Sequence, residues 1–119
     1  MNIWKQRSKN IEKVDNRENY GEFKLLDYYF NVSVGKVLKE IRNSKGYSLS
    51  QAVKKAGNTF TRQTLSKYEL GKSKIRYKAF FELAKAYEVE PTELYEKIIL
   101  RCLKNTNNDF EEIKKELGI

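Results

Sequence analysis

The sequence predicts an all-α protein, and three observations support that fold class. Apolar residues recur three and four positions apart in successive segments, as on the buried face of a helix. Serine or threonine precedes several of these segments and glycine follows them, as at helix ends. The only proline, Pro91, leaves long stretches free to be helical. We divide the chain into an N-terminal extension (1–32), a five-helix domain (33–104) and a C-terminal loop with a short helix (105–119).

The first helix of the domain is expected to begin at Ser33, a good N-cap, and to end near Lys45 and Gly46. Its apolar positions follow the i, i+3, i+4, i+7 spacing. They are Val34, Val37, Leu38 and Ile41. Before this helix, residues 5–19 are almost wholly polar, whereas residues 20–34 are rich in aromatic side chains. We expect the first stretch to be frayed and the second to pack on the domain, with an additional helix as one option.

Two short helices flanking a brief turn are predicted next, and together they form a helix-turn-helix unit. The turn lies at Asn58 and Thr59, and the inward pair of the later helix is Leu65 and Tyr68. The residues expected to cap and stop these helices are Ser48 and Gly57 for the first, and Thr61 and Gly71 for the second.

The fourth and fifth helices are predicted over residues 77–87 and 92–104, with Pro91 in the first turn of the fifth. The apolar stripe of the fourth helix is Phe80, Phe81, Leu83, Ala84 and Tyr87. The fifth helix has two adjacent stripes, one to close the core and one spare, formed by Leu94, Tyr95, Ile98, Ile99, Cys102 and Leu103. A last short helix, capped by Asp109, carries Phe110, Ile113 and Leu117.

Positive charge is concentrated in the middle of the chain. Residues 36–87 hold thirteen Lys/Arg against three Asp/Glu, whereas residues 1–35 carry a net +1 and residues 88–119 a net −3. The whole excess of +8 therefore comes from the middle segment, and the pI is near 9.5. Such a distribution favours a polyanionic partner over the plainer alternative of a charged, solvated face.

Composition excludes several classes of function. The chain has no histidine and one cysteine, Cys102, so Ser-His triads, Cys-His dyads, intramolecular disulfides and cysteine metal clusters are excluded. We therefore expect no enzyme, no cofactor and no metal. No apolar run approaches the roughly 20 residues of a membrane span, and no hydrophobic segment follows Lys5, Arg7 and Lys9. We expect a cytoplasmic protein with no membrane partner.

One set of residues carries a family resemblance. Helix one ends in Ile41 and Arg42, with Gly46 four residues later. The later positions are Leu65, Ser66, Lys67, Tyr68 and Glu69, then Gly71, Ser73 and Ile75, then Phe80 and Leu83. On these residues, the stretch 35–94 resembles the five-helix DNA-binding domain of the lambda-repressor and Cro-like (XRE) helix-turn-helix family. Within that family it looks most like the Rgg-type branch of Gram-positive regulators.

Two positions depart from the family pattern. Leu49 stands where many members begin helix two with a glutamine that contacts the DNA backbone. The turn is also about two residues longer, around residues 58–60. Full-length Rgg-type regulators carry a large C-terminal domain that senses peptides, and 119 residues leave no room for one, so peptide sensing is not carried over.

The resemblance implies that the outward face of helix three enters the major groove. The base-contacting residues would be Thr61, Arg62, Gln63, Ser66 and Lys67. The residues that would contact phosphates are Lys45, Ser48, Lys54, Lys55, Lys72, Lys74 and Arg76. Arg42 and Glu69 correspond to a buried ion pair that ties helix one to helix three. The plainer alternative for each of these residues is a solvated surface side chain.

The function implied is a transcriptional regulator, by default a repressor, that binds double-stranded DNA as a homodimer on a palindromic site. The spare stripe of the fifth helix and the aromatic segment before residue 33 are the expected dimer surfaces. A second hypothesis is a protein-interaction module, antitoxin-like or an accessory factor of a mobile element, whose partner the sequence does not identify. Four aromatic residues could also bind single strands by stacking on bases, although aromatics at helical spacing are more often core. The aromatic residues concerned are Tyr47, Phe60, Tyr77 and Phe81.

Overall fold

Six helices make up the part of the chain that the computed structural model describes, residues 24–106 and 110–118. They are α1 (Lys24–Ser44), α2 (Leu49–Lys55), α3 (Arg62–Glu69), α4 (Tyr77–Ala86), α5 (Pro91–Asn105) and α6 (Phe110–Leu117). The all-α prediction is therefore confirmed. Residues 1–23, the predicted cap Asp109 and the side chain of Phe110 lie outside the description. None of the described helices has both the length and the apolar content needed to cross a bilayer.

The predicted start of the first helix at Ser33 is wrong. Helix α1 begins by Lys24, and Ser33 is completely buried in its interior. No glycine or proline interrupts residues 24–33, so the aromatic segment continues the helix instead of preceding it. The Ser33 hydroxyl is satisfied without capping, because it accepts a hydrogen bond from the Asn105 side chain at 3.4 Å. A small polar residue thus allows α1 and α5 to pack closely.

Helices α2 and α3 begin and end as predicted. Ser48 accepts from the backbone N–H of Gln51 at 3.1 Å, and the Gln51 side chain accepts from the Ser48 N–H at 2.8 Å, which completes a capping box. Thr61 accepts from the N–H of Thr64 at 3.1 Å. Gly71 adopts φ +72° just after α3, where the left-handed conformation ends a helix.

The core lies where α1 crosses α3 and α5, with α2 and α4 closing the other side. Its largest fully buried hydrophobic side chains are Leu38, Leu65, Leu83, Tyr87, Leu94 and Ile98. Phe81, predicted to belong to the buried stripe of α4, is 54% exposed, so that prediction is wrong. Each residue turns a helix by about 100°, which carries Phe81 out of the sector that Leu83 and Ala84 share.

The two stripes predicted on α5 are present. Leu94, Ile98 and Cys102 are buried, whereas Tyr95 and Leu103 are exposed. The first stripe closes the core against α1. The second leaves an apolar face toward solvent in the described structure.

Helix α6 packs against α1 at long range in sequence. The Glu116 carboxylate accepts hydrogen bonds from the backbone N–H groups of Leu25 and Leu26 at 2.8 and 3.1 Å. A carboxylate at the N-terminal end of a helix satisfies free N–H groups and complements the helix dipole. The last helix thereby holds the first described turn of α1.

Candidate nucleic-acid interface

Helix α3 has one buried face and one exposed polar face. Leu65 and Tyr68 are 0% and 4% exposed, and they fix the rotation of the helix. Arg62, Gln63 and Lys67 consequently lie on the solvent side. None of these three has a hydrogen bond or ion pair with any residue in the described ranges. Their donors and acceptors are therefore free to meet a partner.

Two other predicted base-contacting residues are less available. The Thr61 hydroxyl caps α3 and also lies 3.0 Å from the Thr64 hydroxyl. Ser66 is half-buried. The open part of the α3 surface is thus formed by the long side chains of Arg62, Gln63 and Lys67.

The turn before α3, around residues 58–60, is held in place by contacts to α3 and α4. The Thr59 hydroxyl donates to the Glu82 carboxylate of α4 at 2.6 Å. The Phe60 ring packs edge-on against the Tyr68 ring, with centroids 6.3 Å apart. These contacts anchor Thr59 and Phe60 to α4 and α3, so the N-terminal end of α3 has a defined position.

The lysines of α2 flank this surface. Lys54 is exposed, and the Lys55 ammonium lies 5.2 Å from the centroid of the Tyr47 ring. Lys45 and Ser48 are exposed just before α2. Leu49, at the position of the family glutamine, packs against the core, so no polar side chain replaces that glutamine.

The loop after α3 carries three exposed cations, Lys72, Lys74 and Arg76. The Lys74 ammonium lies 3.3 Å from the Asp27 carboxylate of α1. Partial burial raises the pKa of Asp27 above its ordinary value, and Lys74 opposes that shift. The sequence does not predict this pair, because no local pattern relates Asp27 to a loop that lies 47 residues further along the chain.

An ion pair fixes the other end of α3. The Arg42 guanidinium binds Glu69 with two hydrogen bonds, Nε to Oε2 at 2.7 Å and Nη2 to Oε1 at 2.9 Å. A third bond, from Nη1 to the Tyr47 carbonyl, measures 2.8 Å. The two side chains are only 11% and 6% exposed. The hydrogen bonds to Glu69 raise the pKa of Arg42, so the guanidinium stays protonated.

Tyr87 and Gly35 lie at the same contact between α1 and the end of α3. The buried Tyr87 hydroxyl has no hydrogen-bond partner in the described structure, and burial together with the Glu69 charge raises its pKa, so the phenol stays neutral. At Gly35, a Cβ atom would lie 2.5 Å from the carbonyl oxygen of Tyr68. Only glycine allows α1 to approach the last turn of α3 this closely.

The aromatic residues considered for stacking divide into two groups. Tyr47 and Phe60 pack against the core, as the plainer alternative expects. Tyr77 and Phe81 are 87% and 54% exposed, which that alternative does not expect. They lie together with Tyr95 around a cavity on α4 and α5.

A helix-turn-helix family model matches residues 38–94. The match begins in α1, includes the whole of α2, α3 and α4, and ends in the first turn of α5. Residues 38–94 are therefore similar to a helix-turn-helix domain, and α3 lies at the position of the second helix of the motif. No curated protein matches the chain in a sequence search.

Proposed function

We propose that the chain is a sequence-specific, double-stranded DNA-binding transcriptional regulator, acting as a repressor. The observation that carries this proposal is the set of three unpartnered side chains, Arg62, Gln63 and Lys67, on the exposed face of α3. They belong to a domain whose residues 36–87 carry a net +10. The second helix of a helix-turn-helix motif reads the major groove in proteins that bind DNA in this way.

The side chains of this face suit base recognition. A guanidinium such as that of Arg62 binds guanine O6 and N7 with two hydrogen bonds, and a carboxamide such as that of Gln63 binds adenine N6 and N7. Lys67 lies one turn further along and reaches guanine or a phosphate. Specificity is thus assigned to Arg62 and Gln63, with Lys67 as a supporting contact.

Phosphate contacts come from the exposed cations on both sides of α3. Lys72 and Arg76 are exposed on its C-terminal side, and Lys54 and Lys45 on the side of α2. If about six phosphates are neutralised, the logarithm of the DNA affinity falls with the logarithm of the salt concentration with a slope near −5. A slope shallower than about −2 contradicts an interface dominated by phosphate contacts.

We infer that the regulator acts as a homodimer on a palindromic site. The exposed apolar residues on α5 support a dimer surface, since Tyr95, Leu100 and Leu103 are each more than half exposed. Two copies would read half-sites about one helical turn apart and double the number of base contacts. Within the family we favour the Rgg-type branch, on the residues from Leu65 to Leu83 that carry that resemblance.

Selection of bound sequences from a random duplex library tests the proposal. We expect one enriched motif with two-fold symmetry from the whole chain. The matched control is the double variant Arg62→Ala and Gln63→Ala, which keeps the buried face of α3 and should enrich no motif. Recovery of no motif by the unmodified chain, or of the same motif by the variant, contradicts sequence reading by α3.

The same apolar face of α5 favours a second function, that of a protein-interaction module. Its partner would cover Tyr95, Leu100 and Leu103 in place of a second copy. Weak DNA affinity without sequence preference, together with a stable complex with another protein, would favour this function. Protection of one discrete DNA site with steep salt dependence would favour the regulator.

A further inference from the structure

A cavity of about 690 Å³ opens beside the helix-turn-helix unit. It lies between the N-terminal half of α1, the loop after α3, and the first turns of α4 and α5. Its volume is within the range of roughly 300–1,000 Å³ that is typical of small-molecule sites. Five aromatic side chains line it, Phe30, Tyr77, Phe80, Phe81 and Tyr95.

A polar group lies in the wall of this cavity. Asn31 is only 5% exposed, yet its side chain has no hydrogen bond to any residue in ranges 24–106 and 110–118. Among the described residues, the Tyr87 hydroxyl is the fully buried side-chain polar atom without a partner, so the Asn31 amide atoms are open to the solvent of the cavity. A bound molecule that offers one donor and one acceptor would satisfy both ends of this amide.

The charges of the wall compensate each other. Its acidic and basic side chains are Asp27 and Lys74, and their oxygen and nitrogen lie 3.3 Å apart. A charged molecule would have to break this pair or enter without a counter-charge. The wall therefore favours an uncharged occupant.

From these observations we propose that the cavity binds a small, uncharged, planar aromatic molecule that carries a carboxamide or an equivalent donor and acceptor pair. Its ring lies among the aromatic side chains, where ring contacts add to the burial of apolar area. Its polar edge binds the Asn31 amide. This binding site goes beyond the proposed regulator and does not depend on DNA binding.

The probe for the test is 2-naphthamide, a flat bicyclic primary amide. We expect titration into the whole protein to give saturable changes in the ¹H–¹⁵N NMR spectrum, concentrated at Phe30, Asn31, Ile75 and Phe81. The anionic analogue 2-naphthoate should bind at least about tenfold more weakly, because it lacks the N–H donor and brings an uncompensated charge. Equal or tighter binding of 2-naphthoate would overturn the proposed chemistry.

Two pairs of variants assign the contacts. Asn31→Leu should weaken 2-naphthamide binding about tenfold, whereas Asn43→Leu, at an exposed position of the same helix, should leave it unchanged. Since Asn31 is buried, Phe81→Ser provides a test that spares the core, with Leu70→Ser, at a 59% exposed leucine outside the cavity, as its control. We expect Phe81→Ser to weaken binding several-fold. Absence of saturable binding, or unchanged affinity in folded Asn31→Leu and Phe81→Ser, overturns the proposal.

Discussion

The two ends of α3 differ in how completely their polar groups are satisfied. At the C-terminal end, both oxygens of Glu69 bind the Arg42 guanidinium, and α1 passes close by at Gly35. At the N-terminal end, Arg62 and Gln63 are exposed and have no partner among the described residues. One short helix thus has a fixed end that sets its orientation and an open end that is available for recognition. Substitutions at the C-terminal end of α3 should reduce the stability of the fold, whereas substitutions at its N-terminal end should reduce only DNA binding.

The largest effect is expected at the fixed end. Arg42→Ala leaves the buried Glu69 carboxylate without its partner, and breaking a buried pair in this way costs about 3 kcal/mol. The measurement is the free energy of unfolding in urea or guanidinium chloride.

Arg101→Ala is the matched control for this variant. Arg101 also binds a carboxylate with two short bonds, to Glu40 at 2.7 and 2.9 Å, but Glu40 is 59% exposed. Exposed pairs contribute at most about 1 kcal/mol, so the two variants should differ clearly. Equal losses would show that burial does not distinguish the two pairs.

A smaller effect, on binding alone, is expected at the open end. Replacing Arg62 or Gln63 with alanine should cost about 1–3 kcal/mol on the preferred DNA site and relax discrimination at one base position. The free energy of unfolding should not change, because neither side chain has a partner in the described fold. Competition binding with specific and random duplexes measures the ratio of affinities. An unchanged ratio in both variants would remove α3 as the reading element.

Gly35→Ala tests how closely α1 and α3 approach, with a smaller expected loss of about 1–2 kcal/mol. Alanine by itself favours a helix over glycine by up to about 1 kcal/mol, whereas a Cβ 2.5 Å from the Tyr68 carbonyl oxygen forces the helices apart. The sign of the change in unfolding free energy therefore shows whether the helix propensity of alanine or the steric clash between α1 and α3 is larger. Lys36→Ala, at the exposed neighbouring position, should change stability by less than about 0.5 kcal/mol. A stabilised Gly35→Ala variant would mean that the two helices are not in contact there.

Local signals in the sequence were sufficient for the helix-turn-helix unit. Ser48, Thr61 and Gly71 act as caps and stops through contacts within a few residues, so the sequence determines them without knowledge of the fold. Ser33 has the same chemistry as a cap, yet it is buried in mid-helix. Its environment is set by packing on α5, which no local pattern records. The interpretation failed there because tertiary contacts outweigh capping preference.

Contacts between segments that are distant in the chain could not be predicted from the sequence either. The Glu116 carboxylate on α1, the Asp27–Lys74 pair and the cavity at Asn31 each join elements that are far apart in the chain. Helical spacing was sufficient to predict which side chains of α3 face the solvent, because Leu65 and Tyr68 fix which side of the helix is buried. The availability of each cation could not be predicted, since it depends on which carboxylates the fold brings close.

The smallest expected effect separates two lysines of the loop after α3. Lys72 is exposed and has no partner in the described structure, so Lys72→Ala should weaken every duplex equally and flatten the salt slope by about one unit. Lys74 already lies 3.3 Å from the Asp27 carboxylate, so Lys74→Ala should flatten the slope by less. Asp27→Asn frees the ammonium and should strengthen binding modestly, because this partly exposed pair contributes at most about 1 kcal/mol. In the Asp27→Asn background, Lys74→Ala should then recover the full effect of about one unit. If both lysines flatten the slope equally in the unmodified background, the Asp27 contact does not compete with DNA.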